Sequence, residues 1–193
     1  MSGPEQQIRV SAAGDVMLGD SSHFLGRGVG SALRCHRRDP FADLRDRLSG
    51  RDVFIANLES PLGEFPGGRS WDKVYVGPAA AVEHLGLAER NVWTLANNHI
   101  LEHGPGLLEG TEDLLRTAGH LTAGFSPDGT DARAAVRWTC RGLDLELLAD
   151  SLIPEFSRRP LDRPGREAWL LERVAAMTAD VRIVSLHWGH EYV

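Results

Sequence analysis

Lysine is almost missing from this chain, and cysteine is scarce. Lys73 is the only lysine, so arginine carries nearly all of the positive charge. Arginine suits phosphate and carboxylate recognition better than lysine does. An excess spread over the whole length, however, marks genomic composition bias rather than one binding patch. The two cysteines, Cys35 and Cys140, stand far apart and outside any C-x-x-C pair. No disulfide framework or zinc knuckle follows, and each reads as a small buried or half-buried thiol. No apolar run approaches the ~18 residues of a membrane span. The opening stretch, MSGPEQQIRVSAAGD, lacks a basic start followed by an apolar core, so no signal peptide is expected. The expected location is the cytoplasm, with no membrane anchor. Acidic residues outnumber basic ones, giving a formal net charge of -6 and a pI of about 5.7. Such a field repels nucleic acid and anionic membrane alike, so no nucleic-acid partner is expected. A polyanionic partner would need a local basic patch or a bound cation.

What is present is an ordinary globular composition. Hydrophobic residues make up 42% and charged residues 25% of 193 positions, enough for one domain, 1–193, with a sizeable core. Strand-like apolar runs at Ile8–Ala13, Asp52–Leu58, Asn91–Ala96, Leu121–Ala123 and Val181–Leu186 alternate with helical spacing at Phe41–Leu48, Ala79–Leu87, Gly106–Ala118 and Arg166–Thr178. The first and last runs read as buried strands. Segments Ala134–Cys140 and Leu143–Ala149, joined by Arg141-Gly142, read as a β-hairpin. The proline-bearing stretches 60–73 and 153–166 read as loops. Strand–helix alternation predicts an α/β domain with a largely parallel central sheet and an added hairpin.

The informative pattern is where polar residues fall. Four apolar runs each end in a potential metal ligand: Asp15, Glu59, Asn98 and His187. In open α/β sheets, ligands bind beyond the carboxyl ends of the strands, where residues leaving parallel strands converge. Turn chemistry accounts for any one Asp or Asn at such a place. Four in register, one of them a histidine, favour a site. Mixed oxygen and imidazole donors suit manganese, iron or zinc and disfavour copper(I).

The segments GDVMLG (14–19), NLESPL (57–62), LANNHILEHG (95–104) and SLHWGHEY (185–192) resemble, in order, the signatures of the CapA family. That family is named for capsule and poly-γ-glutamate synthesis and is related to calcineurin-like metallophosphoesterases. The resemblance implies a metallophosphoesterase-like layered sandwich with two divalent ions. Asp15 would bind the first ion, Glu59 would bridge both, and Asn98 and His187 would bind the second. His99 would stand beside the ions and protonate the leaving oxygen. Asn97, Glu102 and Glu191 would support these groups from behind. His103 and His190 fall at variable places, His84 reads as structural, and His23 remains an alternative ligand. Trp188 and Tyr192 read as packing residues.

Three departures from the family pattern stand out. Glu102 replaces the usual Asp, and the membrane tether common in the family is not seen. The family also continues past its HWGxEY signature to a loop rich in glycine and histidine, whereas this chain stops at Val193. The resemblance therefore implies a C-terminally truncated domain, or a site completed by another chain. Exposed apolar surface at that edge would favour oligomers. Two functions stay open. One is a metal-dependent hydrolase acting on a polymer or phosphate-ester substrate. The other is a non-catalytic accessory or binding protein, or inactive fragment, that retains the fold.

Overall fold

The computed structural model describes residues 7–36, 38–64, 74–126, 131, 133–153 and 163–189. The elements run β1 (Val10–Val16), a 3-10 turn (Ser22–Phe24), α1 (Val29–His36), α2 (Ala42–Leu48) and β2 (Val53–Leu58). A second 3-10 segment (Ala79–His84) leads into β3 (Arg90–Leu95), α3 (Pro105–Thr117) and β4 (Leu121–Gly124). The chain closes with β5 (Ala135–Cys140), β6 (Leu143–Ser151), α4 (Arg163–Ala175) and β7 (Val181–His187).

Two sheets form, not one. Strands β1-β2-β3-β4 make a parallel sheet in sequence order. The hairpin β5-β6 does not decorate that sheet. It pairs antiparallel, and β6 then takes β7 in parallel, giving a second sheet of three strands. The expected largely parallel sheet and hairpin are both present, and the hairpin belongs to a second sheet. The α/β class and the layered sandwich stand.

Period-two alternation decides the layering. In β2, Phe54, Ala56 and Leu58 face one way and Val53 and Ile55 the other, and every residue of the strand is buried. In β3, Trp93 and Leu95 share the first face and Val92 the second. The first face packs against Leu33 of α1, Phe41 beside α2, and Leu108 and Leu115 of α3. Phe54 and Trp93 meet edge-on there, with ring centroids 5.7 Å apart. The second face packs against Trp138, Leu145, Leu147 and Ala149 of the other sheet. The outer face of that sheet is covered by Leu170 of α4 and by Met177. The order is therefore helices, sheet, sheet, helix.

Strands β1 and β7 lie at the edges of their sheets, and among the described residues each pairs on one side only. Their burial is correspondingly partial, which corrects the reading of both as buried strands. Between β1 and β2 the register slips. Ala12 faces Ile55 and Asp15 faces Asn57, so β1 carries one extra residue. Such a bulge re-aims side chains and is common beside functional sites. It carries Asp15 into the strand rather than past its end. The reading of 153–166 as loop overlapped α4, whose first turn includes Pro164, where proline is tolerated. Residues 65–73 and 154–162 of the expected loops lie outside the described residues. Cys35 is exposed rather than buried, and Cys140 is half-buried.

Two clasps tie the layers together. Arg141 and Gly142 both have positive φ, 48° and 80°, as the favoured two-residue hairpin turn requires. From that turn the Arg141 guanidinium reaches Asp52 at 2.5 Å, and Asp52 also accepts from the backbone of Arg9 at 2.6 Å. At the far side, Arg166 of α4 donates through Nε to both oxygens of the fully buried Asp150, at 3.0 and 2.8 Å. Its Nη1 donates to both oxygens of Asp131 at 3.0 Å, and its guanidinium lies 3.9 Å over the Trp169 ring. No helix among the described residues is long and apolar enough to cross a membrane.

Removing one partner of a buried ion pair leaves the other charge stranded, at a cost of about 3–5 kcal/mol. Arg166→Ala should therefore lower the melting temperature by roughly 10 °C for a chain of this size. Calorimetry or a thermal melt checks this. An unchanged melting temperature would show that the clasp contributes nothing net.

Candidate metal centre

The carboxyl ends of β1, β2, β3 and β7 meet at one edge of the two sheets. Asp15 is the second-last residue of β1, Glu59 follows β2 directly, Asn98 lies three residues past β3, and His187 closes β7. Asp15, Glu59 and His187 each offer a ligand atom, and the three atoms lie within 4.8 Å of one another. His187 Nε2 stands 2.9 Å from Asn98 Oδ1 and 3.4 Å from Glu59 Oε1. His187 Nδ1 stands 3.6 Å from Asp15 Oδ1. Two carboxylates, an amide oxygen and an imidazole thus converge, a donor set that fits a hard or borderline divalent cation. Asp15 is exposed at the rim, with its side chain 56% accessible, whereas Glu59 and His187 sit deeper, at 9% and 13%. A groove of about 220 Å³, lined by small residues such as Ala12, Gly14, Ala56, Ala96 and Ser185, runs from this cluster between β1 and β7.

The Asn97-Asn98-His99 turn is built by the side chain of Asn97. Its Oδ1 accepts from the backbone N–H groups of His99 and Ile100, at 3.1 and 2.9 Å. This is the local bond that makes asparagine a turn residue. Its Nδ2 donates to Leu58 O at 2.8 Å, which ties the turn to the end of β2. Asn98 is thereby aimed at His187. The buried His99 places Nδ1 2.8 Å from Glu102 Oε2 and Nε2 3.3 Å from Asn98 Nδ2. The longer Glu102 side chain therefore still reaches the histidine. Glu191, His190 and Tyr192 lie outside the described residues. His23 is an exposed residue of a 3-10 turn and is not part of the cluster, and His103 contacts Val74 O at 2.8 Å. Trp188 is 70% exposed rather than packed.

Three residues of this region escape the strand-end pattern. Asn57 is 8% accessible and projects from β2 between the two carboxylates, donating to Asp15 Oδ1 at 2.7 Å and also to Glu59 Oε2. An asparagine inside the apolar run DVFIANL was the available signal, because a buried polar residue is more informative than an exposed apolar one. Tyr75 lies with its ring 4.2 Å from that of His99, tilted by 39°. It adopts φ 58°, a left-handed conformation that is strained for a bulky residue. The conformation is supported by a bond from Tyr75 N to Asp20 O at 2.7 Å and by the close approach of Gly19. A Cβ on Gly19 would lie 2.3 Å from the Tyr75 carbonyl carbon. No sequence signal marks Tyr75, since neither glycine nor asparagine stands there.

Asp20 is the third. Its side chain accepts from Ser31 N at 2.9 Å, from the Ser31 hydroxyl at 2.5 Å and from Gly26 N at 3.0 Å, so it organises the turn ahead of α1. Burial alone would raise its carboxyl. The three hydrogen bonds and the nearby Arg34 outweigh that and hold it below the ordinary aspartate value of 3.8.

This geometry defines an αββα layered fold of the metallophosphoesterase type, with its polar cluster at the carboxyl ends of the strands. The profile of the bacterial capsule synthesis protein family, PGA_cap, matches residues 9–193, and the chain belongs to that family. It is also similar to the probable polyglutamine synthesis accessory proteins of two Mycobacterium tuberculosis strains. The identity is 28% over an alignment 250 positions long, gaps included, taking in 100% of this chain and 63% of each relative. The chain thus spans just under two thirds of the length of the curated relatives it matches.

The Asp20 turn makes a pH-dependent prediction. A carboxyl whose folded value lies below its unfolded one contributes stability that is present above the unfolded value and lost as pH falls through the folded one. Wild type should exceed Asp20→Asn in urea midpoint by a constant margin above pH 3.8, and the margin should shrink as pH falls further. A margin that widens on acidification would contradict the assignment.

Proposed function

We propose that this chain carries a divalent-metal hydrolase centre of the phosphoesterase type, serving capsule-type polymer synthesis. The observation that supports the reading is the convergence of ligand atoms of Asp15, Glu59 and His187 within 4.8 Å, with the Asn98 carbonyl oxygen against His187. Asp15 and Glu59 supply the negative charge, with Glu59 Oε1 3.4 Å from His187 Nε2. Asn98 and His187 supply the neutral donors. Asp15, Glu59, Asn98 and His187 would hold the ion, which would supply Lewis acidity to a phosphate-like or amide centre. The substrate class proposed is a phosphate ester or a polymer linkage. Manganese, iron or zinc fits the donors.

The proton work falls to His99. Its Nδ1 lies 2.8 Å from the Glu102 carboxylate, which holds the ring in place. With Nδ1–H toward Glu102, Nε2 accepts from Asn98 Nδ2 at 3.3 Å; a proton taken up on Nε2 would be the one passed to the leaving oxygen, returning the ring to this form. The Tyr75 ring beside it limits how far the imidazole can turn.

A specific finding favours a second reading. The relatives are described as accessory proteins, which suits a binding protein that keeps the fold and the ion but performs no turnover.

Two measurements separate these readings. Metal analysis after dialysis against manganese should give one tightly held ion per chain, and Asp15→Ala and His187→Ala should each lose it. Hydrolysis of p-nitrophenyl phosphate with added manganese should then fall roughly 10²- to 10⁴-fold in His99→Ala, the usual worth of a general acid. Metal content should stay unchanged in that variant. Metal bound without any turnover would decide for the accessory reading. Loss of metal from His99→Ala would overturn the role given to His99.

A further inference from the structure

The Asn57 side chain sits at the centre of the polar cluster, yet no ligand role falls to it. We infer that Asn57 is the positioning residue of the metal centre: its amide, turned by Asn97, holds one oxygen of Asp15 and one of Glu59. The remaining oxygen of Glu59 is thereby presented to the cation, and Asp15 is held beside it. The inference rests on the reading of the cluster as a metal centre.

The orientation of Asn57 follows from the backbone. The N–H groups of His99 and Ile100 can only donate, so the Asn97 atom facing them is its oxygen, at 3.1 and 2.9 Å. Asn97 Nδ2 therefore faces the other way, toward Leu58 O at 2.8 Å and the Asn57 side chain at 3.0 Å. A donor requires an acceptor, so Asn57 turns Oδ1 to Asn97. Its Nδ2 must then point into the cluster.

In the cluster Asn57 Nδ2 meets three acceptors with two hydrogens. Asp15 Oδ1 lies at 2.7 Å, Glu59 Oε2 closer still, and His187 Nδ1 at 3.3 Å. Bonds to ionised acceptors are shorter and stronger than bonds to neutral ones, so the two carboxylates take both hydrogens. The amide thus carries the partial positive charge that keeps two carboxylates together in the metal-free chain. It also fixes which oxygens are left. Glu59 Oε1 remains on the side of His187 Nε2, at 3.4 Å, and Asn98 Oδ1 lies 2.9 Å from the same nitrogen. Neighbouring ligands around one ion with bonds of about 2.1 Å stand about 3.0 Å apart in an octahedron and about 3.4 Å apart in a tetrahedron. The face left open by Asn57 therefore has the spacing of a coordination edge.

The test is titration of the full chain with manganese alone, followed by calorimetry, beside melting temperatures of the metal-free proteins. Asn57→Ala removes the donors and should weaken manganese binding about 10- to 100-fold, the usual effect of losing a support behind a ligand. Asn57→Ser, closer in size and able to donate one bond, should lose less, and it serves if the alanine variant does not fold. Asn57→Asp replaces the donors with a third carboxylate. It should melt lower than wild type without metal and gain more than wild type on adding manganese, a crossing that mere loss of packing would not produce. A wild-type chain that takes up no manganese overturns the metal reading and this inference with it. Wild type that binds manganese, with Asn57→Ala and Asn57→Ser binding it equally well, overturns the inference alone.

Discussion

Two carboxylates, Asp15 and Glu59, are brought to one amide at the end of a sheet, and the site depends on that enforced closeness. Like charges this near repel, and the low dielectric around the buried Glu59 sharpens the effect. Asn57 reduces the repulsion by donating to both, and a divalent cation would remove it. The surrounding structure holds these groups in place. The bulge in β1 sets Asp15 opposite Asn57, the end of β2 delivers Asn57 and Glu59, and Asn97 ties the β3 turn to the β2 end. His187 arrives from the other sheet, so the cluster also depends on how the two sheets pack. A shift between them would move His187 away from Glu59 and Asn98 before it disturbed either sheet.

The αββα layering explains why the sheets do not slide. Each inner face is a continuous apolar surface, from Val53, Ile55 and Val92 on one side to Leu145 and Leu147 on the other. Arg141 reaching Asp52 and Arg166 reaching Asp150 and Asp131 pin the two sides of the molecule. The apolar contacts resist separation, while the ion pairs specify register, because each has one geometry that satisfies both partners. Precision at the cluster is thus inherited from elements well away from it. The site itself can remain strained, as Tyr75 shows.

Much of this was legible in the sequence because strand ends obey simple rules. Apolar runs such as DVFIANL and NVWTLA could hardly be anything but buried strands, and the polar residues after them had to emerge at one edge of a parallel sheet. The strand-end rule marks Asp15, Glu59, Asn98 and His187 from the sequence alone. It did not separate the two sheets, because pairing partners are set by tertiary contacts, and β6 could have joined either sheet on pattern alone. It took β1 and β7 as buried because an edge strand carries nearly the same apolar run as a central one. Asn57 stands in a strand interior, where the strand-end rule does not reach. Tyr75 was beyond reach, since its conformation is imposed by Gly19 and Asp20 far away in sequence.

The central claim is that a divalent cation sits among Asp15, Glu59, Asn98 and His187. Anomalous diffraction at the manganese edge, from crystals grown or soaked with manganese, tests it most directly. The account predicts a peak about 2.1 Å from Glu59 and from His187 Nε2, with Asn57 still donating to both carboxylates. A peak elsewhere on the molecule, or no peak while the four side chains remain grouped, would contradict it.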